Sequence, residues 1–171
     1  DSNTSKAAYW SKEFLELVEI RDDEKNTLLA YNSINRDILE PIRKNHKSDY
    51  LNLWNATVAY FRGEGEFDLT HYRDNIVGNI QPVDDTLIMG DIKSKINKLP
   101  TKYKFDSVFT KKTNVVKAKF KNTIKLSNEI DLIIKQDVAN PKKTFVPFTD
   151  DEGNEYIGIL SPEGFKYAQN Q

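Results

Sequence analysis

The sequence predicts an α+β fold, in which an N-terminal helical part of about five helices is followed by a small antiparallel β-sheet. Up to Pro100, apolar residues recur at steps of three and four, which is the spacing of one face of an amphipathic helix. Beyond Pro100, apolar and polar residues alternate, as they do along a half-exposed strand. A run of helices followed by a run of strands indicates an α+β architecture with an antiparallel sheet.

The first two predicted helices precede residue 45. The first covers residues 3–20, and its apolar face is formed by Ala7, Trp10, Phe14 and Leu17. Asp22 and Asp23 open the second, because acidic side chains favour the positive end of a helix dipole. Its apolar stripe contains Leu28, Tyr31, Ile34, Ile38 and Ile42. Pro41 has no backbone N–H, so we expect a kink or break near residues 39–41.

Three further helices are predicted before residue 100. Ser48 or Asp49 caps the third, which carries Leu51, Trp54, Val58 and Phe61 and ends at Gly63 and Gly65. Asp68 caps a short fourth helix, which carries Leu69, Tyr72 and Ile76 and closes near Gly78. Asp84 and Asp85 open the fifth, which aligns Ile88, Ile92, Ile96 and Leu99 and stops at Pro100.

The strands are predicted after this helical part. Val116, Ala118 and Phe120 alternate with lysines and indicate a strand, with a helix over residues 112–119 as the alternative. Residues 124–134 are the best strand candidate, interrupted by a turn at Ser127 and Asn128. Residues 145–149 and 156–160 flank an acidic tip and predict a hairpin, followed by a last helical turn over 165–169.

The 171 residues suffice for one compact domain or two small ones. The predicted boundary lies between residues 98 and 103, and it separates a helical region (1–99) from an antiparallel β region (100–171). No apolar run approaches the length of a membrane span. The absence of Cys excludes disulfides and thiolate metal sites. Because the chain begins at Asp1, we expect it to be part of a longer protein.

The net charge is −1, but the charged residues are distributed unevenly along the chain. Residues 1–98 carry 13 Lys/Arg and 17 Asp/Glu, a net charge of −4. Residues 99–145 carry 11 Lys and 4 acids, a net charge of +7, and residues 146–171 carry 1 Lys and 5 acids, a net charge of −4. All cations of the middle block are Lys, a hydrated point charge suited to phosphate contact more than to reading bases.

The basic segment, residues 102–125, is the candidate nucleic-acid-binding site. If Val116, Ala118 and Phe120 face the core, the lysines between them form a positive stripe with a pitch of roughly 7 Å. Tyr103, Phe105, Phe109 and Phe120 are candidates for stacking on single-stranded bases. The alternative is a solvated strand face whose lysines oppose edge-to-edge aggregation. The candidate residues are Lys102, Lys104, Lys111, Lys112, Lys117, Lys119, Lys121 and Lys125.

No pattern of catalytic residues is present. The acidic tip, residues 150–155, has its Gly at the wrong position for a calcium loop. His46 and His71 are interpreted as surface or helix-end residues, since a zinc site would need several carboxylates beside them. The carboxylate pair Asp84–Asp85 matches a helix-cap role better than acid–base catalysis. We therefore expect neither metal nor cofactor, and a protein that is not an enzyme.

Three features of the chain belong together: the opening AYWSKEFL (8–15), the acidic turn RDDEK (21–25) before a long helix, and the order of the β-rich C-terminal part through FVPFTDDEGNEYIGIL (145–160). In these features the chain resembles the C-terminal half of the NdpA-type bacterial nucleoid-associated proteins. The resemblance covers about residues 5–169 and rests on apolar and turn patterns. No binding residue is transferred by motif, and the lysine assignments rest on charge alone.

The resemblance implies a cytoplasmic bacterial protein, located with the nucleoid, that binds DNA and has no known enzyme activity. It also implies a preceding N-terminal domain as a further partner. The first hypothesis is therefore sequence-independent contact of the lysines with the phosphates of double-stranded DNA. The alternative is a protein–protein interaction or homodimerisation module, in which the helical half forms the contact and the lysines are incidental.

Overall fold

The computed structural model describes residues 22–169, and the first predicted helix, over residues 3–20, lies outside this range. Helix α1 (Asp23–Ile34) begins at Asp22, whose carboxylate accepts a hydrogen bond from the Lys25 backbone N–H (2.6 Å). This confirms the predicted start of the second helix. Its predicted apolar stripe is buried apart from Leu28, which is half-buried.

The predicted irregularity near Pro41 is a π-helical turn, Asn35–Leu39, that joins α1 to α2 (Glu40–Asn45). The Glu40 N–H bonds to the Asn35 carbonyl, five residues earlier. Pro41 consequently stands in the first turn of α2, where a missing N–H costs little. The helix is therefore irregular before Pro41, but the predicted break is absent, because the helical course continues to Asn45.

Helix α3 (Lys47–Arg62) begins after His46, so the predicted cap is wrong for both Ser48 and Asp49. The Asp49 residue is 0% exposed, and its carboxylate accepts hydrogen bonds from the backbone N–H groups of Val83 (2.7 Å) and Asp84 (3.0 Å). Asp49 thus fastens the loop before the next long helix. The apolar face is largely confirmed: Trp54, Val58 and Phe61 are buried, and Leu51 is half-buried.

A short helical stretch follows strand β1 (Glu66–Asp68). It consists of α4 (Leu69–His71) and a π-helical turn, Tyr72–Val77. Asp68 caps it as predicted, since its Oδ1 accepts from the His71 N–H (2.9 Å).

The fifth predicted helix is wrong at both ends, because α5 spans Met89–Tyr103. Asp84 holds a local turn through the N–H and hydroxyl of Thr86 instead of opening the helix, and Ile88 is exposed. The helix continues past Pro100, since Lys102 Nζ (2.7 Å) and the Tyr103 hydroxyl (2.8 Å) both donate to Asp37 and hold the last turn. Helix α5 therefore runs through residues 98–103, where the boundary between the helical and the β region was predicted.

Between residues 22 and 169, the strands form three separate antiparallel pairs. Strand β1 pairs with β2 (Val108–Thr110), β3 (Asn122–Lys125) with β4 (Asp131–Ile134), and β5 (Phe145–Thr149) with β6 (Glu155–Ile159). Two short helices, α6 (Pro141–Thr144) and α7 (Pro162–Gln169), flank the last pair. The α+β class and the predicted C-terminal hairpin are confirmed, while the sheet consists of three two-stranded ribbons.

The predicted strand over residues 116–121 is wrong. Two 3₁₀ turns, Thr113–Val115 and Lys117–Lys119, occupy this part of the chain. Val116 and Phe120 are buried while Ala118 between them is exposed. A strand would have placed all three on one face, so the turns place the two large side chains in the core and leave the small one outside.

One apolar core joins the helices to the chain after α5. Phe67 and Phe109 are opposite each other in the β1–β2 pair and stack with ring centroids 4.7 Å apart. Tyr31 of α1 meets Phe61 (5.3 Å) and Phe120 (5.5 Å) edge to face. Ile134 is the last buried residue of the described chain. Within residues 22–169, no helix has both the length and the apolar character required to cross a lipid bilayer.

We predict that Asp49→Ala lowers the free energy of unfolding by about 2–3 kcal/mol, because two backbone N–H groups of the loop lose a charged acceptor. Urea denaturation followed by far-UV circular dichroism measures the change. Asp151→Ala is the matched control, since Asp151 is exposed at the hairpin tip, and we expect a change below about 0.5 kcal/mol. Equal changes in the two variants would contradict the role of Asp49.

Candidate nucleic-acid interface

Two of the eight candidate lysines are held by the protein. Lys102 donates to Asp37, and this hydrogen bond together with that to Tyr103 raises the pKa of the Lys102 ammonium. Lys111 donates to the Tyr60 carbonyl (2.7 Å) and lies 4.3 Å from the centre of the Tyr60 ring. Burial lowers the pKa of Lys111. Both ammonium groups are therefore engaged in contacts within the protein that stabilise the fold.

The other six candidate lysines are exposed, and none of them forms an ion pair with an acidic residue in the described part of the chain. One follows helix α5, one follows strand β2, two lie in the second 3₁₀ turn, one precedes strand β3 and one ends it. These free lysines are Lys104, Lys112, Lys117, Lys119, Lys121 and Lys125. Lys125 donates to the nearby Asn128 amide oxygen (3.2 Å), which leaves its charge unneutralised.

The arrangement of the free lysines differs from the predicted stripe. Lys117 and Lys119 lie in a 3₁₀ turn, and β3 begins only at Asn122. Lys117, Lys119 and Lys121 therefore do not share one face of a strand at a 7 Å pitch. Lys117 and Lys119 instead extend from a 3₁₀ turn, and Lys121 directly precedes β3.

The predicted base-stacking aromatics are wrong for three of the four residues. Phe105, Phe109 and Phe120 are 2%, 6% and 2% exposed and belong to the core. The fourth, Tyr103, is half-buried and donates its hydroxyl to Asp37. The surface offers ammonium groups without free aromatic rings between them, which suits phosphates better than unpaired bases.

A polar cleft of about 310 Å³ adjoins the free lysines. Its walls come from α1 and the turn after it (Tyr31, Asn32, Asn35), from α2 (Glu40, Arg43), from α3 (Tyr50, Trp54) and from the chain over residues 119–123. Lys119 and Lys121 line its edge. Arg43 is fixed by donating to the Thr123 carbonyl (2.9 Å) and by lying over the Tyr50 ring.

Asn122 lines this cleft and is only 3% exposed. Its Oδ1 accepts a hydrogen bond from the Tyr50 hydroxyl (3.2 Å), whereas its Nδ2 is buried without a partner. A buried amide donor without an acceptor costs about 1–3 kcal/mol. The sequence-based hypothesis did not include Asn122, Arg43 or Tyr50. The available signal was an Asn at a position that shares its strand face with Ile124.

The acidic tip is satisfied by its own hydrogen bonds. Asp150 accepts from the N–H groups of Glu152 (3.0 Å) and Asn154 (2.8 Å), from the Asn154 side chain (2.9 Å) and from the Tyr156 hydroxyl (2.9 Å). These contacts, chiefly those from Asn154, hold the pKa of Asp150 at about 2. Among residues 22–169, no group of three or more His, Asp and Glu side chains is placed to hold a metal ion.

His46 lies at the junction of α2 and α3, which agrees with a helix-end position. Its Nδ1 is 2.8 Å from Asp84 Oδ2. Hydrogen bonds from Thr86 and from His46 lower the pKa of Asp84 to about 2. The contact fastens the same loop that Asp49 holds.

Comparison with protein-family models, with curated proteins and with solved structures found no match to this chain.

We predict that the Asp150 carboxyl titrates with a midpoint near pH 2 rather than near the ordinary 3.8. Because the folded pKa is depressed, this carboxylate stabilises the hairpin above about pH 4, and the contribution disappears as the pH falls through about 2. The side-chain ¹³C shift of Asp150, followed by NMR, measures the midpoint. In the Asn154→Ala variant the midpoint should move upwards, and an unchanged midpoint would contradict the assigned cause.

Proposed function

We propose that this chain is a non-enzymatic nucleic-acid-binding protein that contacts the phosphates of double-stranded DNA without sequence preference, through the free lysines. The observation that carries the proposal is that these six ammonium groups are exposed and have no acidic partner among residues 22–169. The resemblance to nucleoid-associated proteins supports the same function and a location at the bacterial nucleoid. The N-terminal domain implied by that resemblance is proposed as a further partner.

The physical basis is the release of counterions from DNA when lysines neutralise its phosphates. Lysine ammonium groups form point-charge contacts with phosphate oxygens and carry little information about the bases. The surrounding acidic regions, at −4 on each side of the basic block, oppose the approach of a duplex. We therefore propose a moderate affinity that is strongly reduced by salt.

We predict that the logarithm of the DNA affinity falls linearly with the logarithm of the salt concentration, with a slope of about −5 if all six free lysines contact phosphates. Replacing Lys112, Lys117 and Lys125 together by Gln removes three of the contacts. The slope should then become shallower by about 2.7, at about 0.9 per phosphate. Fluorescence anisotropy of a labelled duplex across a salt series measures both slopes.

The matched control replaces Lys47, Lys98 and Lys166 by Gln, since these exposed lysines lie outside the basic segment and the net charge changes equally. A loss of affinity as large in the control as in the test variant would show that only total charge matters. Absence of binding at low salt would reject DNA contact by this chain.

A second candidate function, homodimerisation, is favoured by the C-terminal arm, which we define as residues 145–169. None of its residues is buried. The two strands place Phe148 and Tyr156 on one face, stacked at 4.9 Å, and Ile157 and Ile159 on the other. Eight apolar side chains of the arm are 44–72% exposed: Val146, Phe148, Tyr156, Ile157, Ile159, Leu160, Phe165 and Tyr167. An exposed apolar surface of this extent is typical of an interaction site.

We propose a second copy of the chain as the occupant of this surface, arm against arm. The acids of the arm are concentrated at the hairpin tip, over residues 150–155. A two-fold antiparallel contact between arms places the two tips at opposite ends, so that like charges are kept apart while the apolar faces meet.

We predict a mass of about 40 kDa, twice 19.8 kDa, in light scattering after size-exclusion chromatography. Phe148→Asp with Ile157→Asp should reduce it to that of one chain, because each apolar face then carries a charge. Ile130→Asp is the control, since Ile130 is equally exposed on another hairpin. A wild-type mass of about 20 kDa at every concentration tested would reject this second candidate.

A further inference from the structure

The cleft beside the free lysines has the composition of an anion-binding site. Of the charged residues that line it, Arg43, Lys119 and Lys121 are cationic and Glu40 alone is acidic. Glu40 is already 3.7 Å from the guanidinium of Arg43, so the two lysines are left without a counter-charge among the described residues. The described residues therefore give the cleft an excess of positive charge, because its one acid, Glu40, is already paired with Arg43.

The Asn122 amide adds a neutral donor to these cations. The hydroxyl of Tyr50 and the pairing of β3 with β4 fix the residue in place, opposite Ile134. A buried Nδ2 without a partner is rare in folded proteins and marks a place where an acceptor is missing. Asn122 is among the residues that line the cleft, so an acceptor held in the cleft lies next to this side chain.

We infer that the cleft binds a phosphoryl group, whose oxygens accept hydrogen bonds from Asn122 Nδ2 and from the ammonium groups of Lys119 and Lys121. A phosphoryl group offers several acceptor oxygens and a negative charge, which matches one amide donor and two unpaired cations. The Glu40 carboxylate and the Asn32 and Asn35 side chains, which also line the cleft, suit the hydroxyl groups of an attached sugar.

The volume of the cleft limits the size of the ligand. At about 310 Å³ it lies at the lower end of the range of small-molecule sites, which corresponds to a phosphorylated sugar or one nucleotide. Such a group comes either from a free phosphorylated metabolite or from the phosphorylated end of a nucleic-acid strand. The site shares Lys119 and Lys121 with the proposed contact with duplex DNA, whereas the other four free lysines do not line the cleft.

The test follows the Asn122 side-chain amide directly by ¹⁵N–¹H NMR of the full chain, whose 19.8 kDa is accessible to this method. The Asn122→Leu spectrum identifies the resonance pair by its loss. Inorganic phosphate, adenosine 5′-monophosphate and a 5′-phosphorylated trinucleotide are titrated at constant ionic strength. We expect a saturable shift of this pair. A shift with the monophosphate supports a free metabolite, and a shift with the trinucleotide alone supports a strand end.

Two variants establish which groups bind the anion. Asn122→Asp preserves the shape and replaces the donor by a like charge, so the dissociation constant for the phosphorylated probe, followed by the backbone amides of residues 119–123, should rise at least about tenfold. Lys121→Gln, at the exposed edge, should raise it several-fold without risk to folding. Lys117→Gln and Lys125→Gln are the controls, because both residues lie outside the cleft and should leave this constant unchanged.

The outcome separates this inference from the DNA proposal. A salt slope of duplex binding that is shallower by about 0.9 in Lys117→Gln and in Lys125→Gln, with the phosphoryl shift intact, supports both sites. No shift of the Asn122 amide with any probe, or equal affinity in wild type and Lys121→Gln, overturns the cleft inference. The proposal of duplex binding is then tested separately, by fluorescence anisotropy across the salt series.

Discussion

Burial of the aromatic side chains of residues 105–120 is the constraint on which the rest of the structure depends. Phe105, Phe109 and Phe120 enter the core formed by α1, α3 and β1. The chain between them must turn back repeatedly, because its large apolar residues are separated by polar ones that have to reach solvent. The exposed Lys112, Lys117 and Lys119 lie between the buried Phe109 and Phe120, so this packing brings them to the surface.

Polar contacts across about 80 residues hold this packing in register. Asn26 donates to the Asp106 carboxylate (2.8 Å) and accepts from the Asp106 N–H (3.0 Å), and Thr27 accepts from the Lys112 N–H (3.0 Å). Side chains of α1 thus accept hydrogen bonds from backbone N–H groups on both sides of β2, as a neighbouring strand does in a larger sheet. This explains how a two-stranded ribbon as short as β1–β2 is maintained.

The sequence predicted the α+β class, the caps at Asp22 and Asp68, the irregularity before Pro41 and the C-terminal hairpin, because each depends on contacts between near neighbours. It failed at Asp49, at the ends of α5 and at residues 116–121, where distant residues decide the outcome. Val116, Ala118 and Phe120 alternate with lysines as in a strand, but only Val116 and Phe120 are buried in the core. The cleft could not be predicted for the same reason, since its walls meet only after folding.

Two consecutive 3₁₀ turns, over residues 113–115 and 117–119, lie in the basic segment. Because of these turns, the free lysines are not aligned along one direction. A straight row of charges along a strand would align with one phosphate backbone and would fix the angle at which a duplex crosses the protein. Side chains that radiate from turns with three residues per turn define no such direction. The proposed contact with duplex DNA therefore has no fixed crossing angle, and it would distinguish neither the polarity of a strand nor the major groove from the minor.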